Sequence, residues 1–175
     1  MKTKIPLLIL TGLVLMASYA SAATRTFTGE VDDVWENSLN WANDAPPTSI
    51  DRTRFSADAT LSTSVTVRQF WADTGGNVTI ANGGYLTTGS QDPEMDWRNG
   101  ANLTIESGGT VETAGRIRWT NFPALNPADT LAVNAGGTLL AARGNFGVGT
   151  LQIAGDATFS DYLRTGDSAF ATTTA

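Results

Sequence analysis

The sequence predicts an all-β protein, a parallel β-helix (β-solenoid) of about four to six coils with an N-terminal aromatic cap. Three observations predict it. Short apolar alternations recur along the chain, Gly pairs follow them at a constant offset, and no stretch carries a sustained helical period with caps. The composition agrees, being rich in Thr, Gly, Ala and Asn and poor in the long helix formers.

Residues 1–22 read as a secretory signal peptide. Lys2 and Lys4 form the charged start, Ile5 to Met16 the apolar run, and Ala20-Ser21-Ala22 the small-residue cleavage site. A spanning helix needs about 20 apolar residues, and Thr11, Ser18 and Ser21 cut this run short. The expected mature chain begins at Ala23, is the size of one domain, has no membrane span and is exported to the exterior or surface of a bacterium.

The missing residue types exclude whole chemistries. The chain has no His and no Cys, so it holds no Ser-His-Asp triad, Cys nucleophile, disulfide framework or ordinary zinc site. Both lysines lie in the leader; of 11 Lys and Arg, the remaining nine are all Arg, set against 17 acids, so the body carries a charge of 9 − 17 = −8. That balance disfavours nucleic acid as a partner. No metal and no cofactor is expected.

Residues 23–60 do not repeat and form the expected cap segment. Val34-Trp35, Asn40-Trp41 and Arg54-Phe55 are aromatic anchors separated by turn residues that include Pro46-Pro47. A solenoid needs an atypical first unit over its open core, and two indoles six residues apart suit that task.

Residues 61–175 carry the expected coils. Val78-Thr79-Ile80 is followed by Asn82-Gly83-Gly84 and Leu86; Leu103-Thr104-Ile105 by Ser107-Gly108-Gly109 and Val111; Leu131-Ala132-Val133 by Ala135-Gly136-Gly137 and Leu139. Leu151-Gln152-Ile153 continues with Ala154-Gly155-Asp156 and Phe159. In each copy the later apolar residue lies six positions beyond the end of the first run, and the copies start 25, 28 and 20 residues apart. A third apolar stretch follows each: Met95 to Trp97, Ile117 to Trp119, Phe146 to Val148, and Tyr162-Leu163. Stacked at about 4.8 Å, the first runs would make apolar columns, and Asn77, Asn102, Thr130 and Thr150 a polar ladder. The step from Val65-Thr66-Val67 to Val78 is short, so Leu61 to Trp71 is expected to be an irregular first coil. The competing architecture is an antiparallel sandwich in which each run-Gly-Gly-run is a hairpin.

Trp35 to Trp41 in the form Trp-x4-Asn-Trp, then Pro46-Pro47 and a strand ending near Phe55, resembles the start of secreted bacterial β-helix proteins with autotransporter-associated β-strand repeats or PEP-CTERM sorting tails. Leu103 to Val111 is similar to their coils. The resemblance implies a surface or exported solenoid and no catalytic residues. Such proteins usually continue into a sorting tail or membrane barrel, so the chain is expected to be either the first part of a longer protein or a short one whose last coil another molecule covers.

The expected function is therefore a non-enzymatic structural, adhesive or matrix component, with extracellular polysaccharide or neighbouring solenoid units as partners. The alternative is a carbohydrate-binding or polysaccharide-cleaving module. Its candidate contacts are Trp97 and Trp119 as an aromatic platform, with Asp92, Asp96 and Arg98 from the densest polar cluster. Against it stand buried indoles and an acidic corner paired with Arg118 or Arg98.

Overall fold

The computed structural model describes residues 22–72, 76–89, 95–97, 100–119, 130–147, 149–165 and 170–174. The expected signal peptide lies outside them except for Ala22. The described chain is mostly β with almost no helix, and every strand ladder in it is parallel.

One sheet has six strands in the order β3 (Ala59–Leu61), β6 (Asn77–Ile80), β9 (Asn102–Ile105), β11 (Thr130–Val133), β13 (Gly149–Ile153) and β15 (Phe170–Thr174). The other has nine. Its main path runs β1 (Thr24–Phe27), β2 (Arg52–Phe55), β5 (Gln69–Ala72), β8 (Met95–Trp97), β10 (Thr110–Trp119), β12 (Thr138–Phe146) and β14 (Asp156–Thr165). Beside it β4 (Ser64–Val67) pairs with β7 (Tyr85–Thr88), and β7 with the first half of β10. The second half of β10 pairs instead with β8. A register shift between Thr113 and Arg116 separates the halves, a bulge that bends the strand and curls the sheet.

The runs flanking a Gly pair are not hairpins. Val78-Thr79-Ile80 belongs to the six-stranded sheet and Leu86 to the nine-stranded one, and each pairs with its counterpart in the next copy. The turn residues explain this. Gly108 has φ +77°, at the third position of a turn closed by the Gly109 N–H on the Glu106 carbonyl at 2.9 Å. A Cβ on Gly109 would lie 2.4 Å from the Ile80 carbonyl oxygen of the preceding copy, so the second glycine is required by close stacking rather than by φ.

The expected apolar columns form. Leu61, Ile80, Ile105 and Val133 are register neighbours in sequence, all buried, and Leu103 and Leu131 stand beside them. The polar ladder is present as well: Asn77 Nδ2 donates to Asp58 at 2.9 Å, Asn102 Nδ2 to Asn77 Oδ1 at 2.7 Å, and the Thr130 N–H to Asn102 Oδ1 at 2.8 Å.

Two expectations are corrected. Leu61 to Trp71 is not irregular: Leu61 aligns with Ile80, Val65 with Leu86 and Phe70 with Met95, a full copy in register. In the last copy the constant offset fails, because Leu139 aligns with Ala157 and Phe159 with Ala141. The corner from Ile153 to Asp156 has one glycine where Val133 to Thr138 has a pair, and its turn is two residues shorter.

Candidate functional site

The candidate contacts converge on the third run of each copy, where β8 lies against the second half of β10. The register sets Trp97 opposite Trp119, and the indoles stack at 4.5 Å with planes 6° apart. They belong to a longer aromatic column. Phe55, Phe70, Trp97, Trp119 and Phe146 follow at 4.6, 4.9, 4.5 and 5.7 Å between successive rings. Trp97 is 0% exposed and Trp119 1%, so the sugar platform of the alternative reading is not formed: these indoles fill the core and present no face to a ligand. Neither indole N–H has an acceptor among the described residues.

Asp96 sits between buried Met95 and Trp97 in sequence, and its side chain is also shielded from solvent. It survives there as a carboxylate partner of Arg118 on the next strand, whose Nη2 and Nε donate at 2.8 and 3.2 Å. The pair is two-pronged and charge-assisted. Sequence reasoning anticipated this cross-strand pairing as the alternative to a catalytic cluster. Asp92 and Arg98 lie outside the described residues.

The Trp-x4-Asn-Trp segment is a clasp. Two 3-10 turns, Ser38–Asn40 and Ala42–Asp44, bring Asn40 and Trp41 back over β1. Asn40 is buried, and all its polar atoms are used: Oδ1 accepts from the Val31 and Asp32 N–H groups at 3.0 Å each, while Nδ2 donates to Val34 O at 2.9 Å and to Asp32. Trp41 Nε1 donates to the Trp35 carbonyl at 2.8 Å, and the two indoles meet edge to face at 4.8 Å. The clasp thus sets the satisfied polar groups of Asn40 and Trp41 against aromatic rings.

Three carboxyls of the N-terminal segment, Asp32, Glu36 and Asp51, are held ionised. The Asp32 carboxyl lies below its ordinary pKa through hydrogen bonds from Asn40, the Val34 N–H and Asn37. At Glu36 burial pushes the value up, but donors from Thr63 and Ser62 outweigh it and the pKa is lowered. Asp51 follows the same balance: burial raises it, and the Ala23 and Thr48 donors, with Arg25 at 3.6 Å, bring it down.

On the other limb the Tyr85 hydroxyl donates to the Glu112 carboxylate, and that hydrogen bond is the main reason the phenol is harder to deprotonate than usual. Glu112 also edges a shallow depression of about 230 Å³ at the bulge, lined by Thr113, Leu140, Ala142 and Ser160. Among the described residues no group of three or more acidic side chains converges as a metal cage would require.

Counting along the sequence missed the partners of Arg116. The register aligns it with Arg143 rather than with a residue at constant spacing, because the bulges of β10 and β12 differ in length. The signal available was the Arg-x-Arg spacing of Arg52 and Arg54 and of Arg116 and Arg118, which marks alternate positions on one face of a strand.

No family model, no curated protein and no solved structure matches this chain.

Proposed function

We propose that the chain is a β-solenoid of about four to six coils, of the exported bacterial type that its Trp-x4-Asn-Trp segment resembles. It acts as a non-enzymatic structural, adhesive or matrix component of the cell surface. One observation carries this reading: the same three-run unit recurs in parallel register from Ala59 to Thr165, each run pairing with its counterpart before and after. A chain that devotes its core to stacked columns and its polar side chains to ladders is suited to rigidity. Its working surface is then the set of outward rows, repeated at the strand spacing of about 4.8 Å.

Fractionation of a bacterium expressing the full chain tests the reading. Protein recovered from the medium or surface fraction with Ala23 at its N-terminus is the expected result. Retention in the cytoplasm with Met1 and the leader intact contradicts it.

A further inference from the structure

The body of this chain is strongly acidic, yet its arginines are gathered on one face. Of the nine Arg, six project outward from the main path of the nine-stranded sheet: Arg52 and Arg54 on β2, Arg116 and Arg118 on β10, Arg143 on β12 and Arg164 on β14. The densest part is a grid. Arg116 and Arg118 align with Arg143 and Asn145, which align with Tyr162 and Arg164. Buried Ile117, Trp119 and Phe146 alternate with these positions, which sets the grid on the outer face. The first halves of the same three strands carry Thr110, Glu112, Thr138, Asp156 and Thr158 outward, with no Arg, so the bulge divides a basic limb from an acidic one.

Arg116 lies opposite Arg143 in direct register, so two guanidinium-bearing side chains share one place on the face. Arg143 and Arg164 make no ion pair among the described residues. Asp96 is already engaged by Arg118, and the exposed Asp161 lies at the β14 irregularity directly before Tyr162. Aromatic rings accompany the guanidinium groups: Arg164 lies 5.7 Å from the Tyr162 ring, and Arg52 lies 3.8 Å from that of Trp71 further along the face.

We propose that this face binds an acidic polysaccharide whose uronate carboxylates are taken by the forks of Arg143 and Arg164. The inference stands on the register alone and holds whether or not the chain is exported. Three features favour this partner. Guanidinium forks match carboxylate geometry. The strand spacing of about 4.8 Å is close to the advance of one pyranose ring along an extended glycan, so successive strands can meet successive sugars. Tyr162 and Asn145 supply ring-stacking and hydroxyl-bonding groups within the same grid. A nucleic-acid duplex suits the protein less well, because its dense charge would meet the repulsion of a body at −8.

The test is binding of the purified full chain to immobilised polygalacturonate, with neutral dextran and duplex DNA alongside, at low and at high salt. Expected is salt-sensitive binding to polygalacturonate and none to dextran. The double variant Arg143→Gln with Arg164→Gln should bind about tenfold or more weakly. Thr66→Glu with Thr158→Glu, which lowers the net charge equally on the opposite limb, should lose less than about threefold. Thermal melts of both variants establish that each is folded. No binding of the parent protein to polygalacturonate, equal losses in the two variants, or tighter binding to DNA than to polygalacturonate would each overturn the proposal.

Discussion

The indole of Trp97 lies face to face with that of Trp119, 4.5 Å away and 6° from parallel, because their strands pair in parallel and in register. Identical side chains at matching positions of successive copies stack on themselves, and the column continues to Phe70 on one side and Phe146 on the other. A ring removed from the middle leaves a void that its neighbours cannot fill. Trp119→Ala should therefore cost about 3–5 kcal/mol, and Trp119→Phe clearly less, in urea unfolding followed by circular dichroism. Equal, small losses for both variants would mean that the column does not carry the core.

Asp96 is a carboxylate without solvent contact, and Arg118 bonds both its oxygens. Removing Arg118 takes two charge-assisted hydrogen bonds from the buried carboxylate. Arg118→Ala should destabilise the protein by about 3–5 kcal/mol, whereas Arg118→Ala combined with Asp96→Asn should recover part of that loss. A single variant as stable as the parent would show that the pair is not buried in solution.

Asn40 is bonded through both side-chain polar atoms, so its nearest isostere should fail. Asn40→Asp removes the donors to Val34 O and sets a second carboxylate against Asp32. The expected loss is about 2–3 kcal/mol or more, measured as a lowered thermal midpoint. Asn37→Ala, at an exposed neighbouring turn, should cost less than about 1 kcal/mol. Reversal of that order would remove Asn40 from the centre of the clasp.

Acid should act through the N-terminal segment. Asp32, Glu36 and Asp51 all have folded pKa values below their ordinary ones. The unfolded chain then takes up protons first, so their stabilisation is complete above the ordinary carboxylate range of about 4 and is lost as pH falls through the lowered folded values. Thermal midpoints should decline below about pH 4.5, and Glu36→Gln should flatten that decline. Tyr85 works in the opposite direction: its raised pKa means stability retained below about pH 10 and lost above it. A midpoint that is flat from neutral pH down through the carboxylate range would contradict the acid assignment.

The columns were legible because Val, Leu and Ile at alternate positions, followed by Gly pairs, mark a unit that returns to the same place. The copy at Ala59 to Trp71 was not, since Ala59-Thr60-Leu61 is a weak apolar run and the corner before Ser64 has no glycine. The last corner misled for a related reason: Phe159 outcompetes Ala157 as an apolar marker, but a shorter turn places Ala157 in the column beside Leu139. The arginine grid was hidden by the bulges. From Val111 to Arg116 is five residues and from Leu139 to Arg143 four, so a fixed period never superimposes the two arginines, whereas hydrogen-bond register does. The pairing of Trp97 with Trp119 was legible too, since Met95 to Trp97 and Ile117 to Trp119 are the third runs of successive copies; whether the rings faced the core was weighed only from residue type.

The central claim is parallel, in-register pairing between successive copies, and the chain's lack of cysteine makes it directly testable. Thr79 and Thr104 are outward-facing register neighbours in adjacent strands of the six-stranded sheet. Neighbouring strands lie about 4.8 Å apart, within the Cα separation a disulfide spans. Thr79 and Thr87, which a hairpin through Gly83-Gly84 would bring together, lie in different sheets. The decisive measurement is the yield of intramolecular disulfide on mild oxidation of two variants. Thr79→Cys with Thr104→Cys should close readily in the folded protein, while Thr79→Cys with Thr87→Cys stays reduced. Closure of the second pair and not the first would contradict the account.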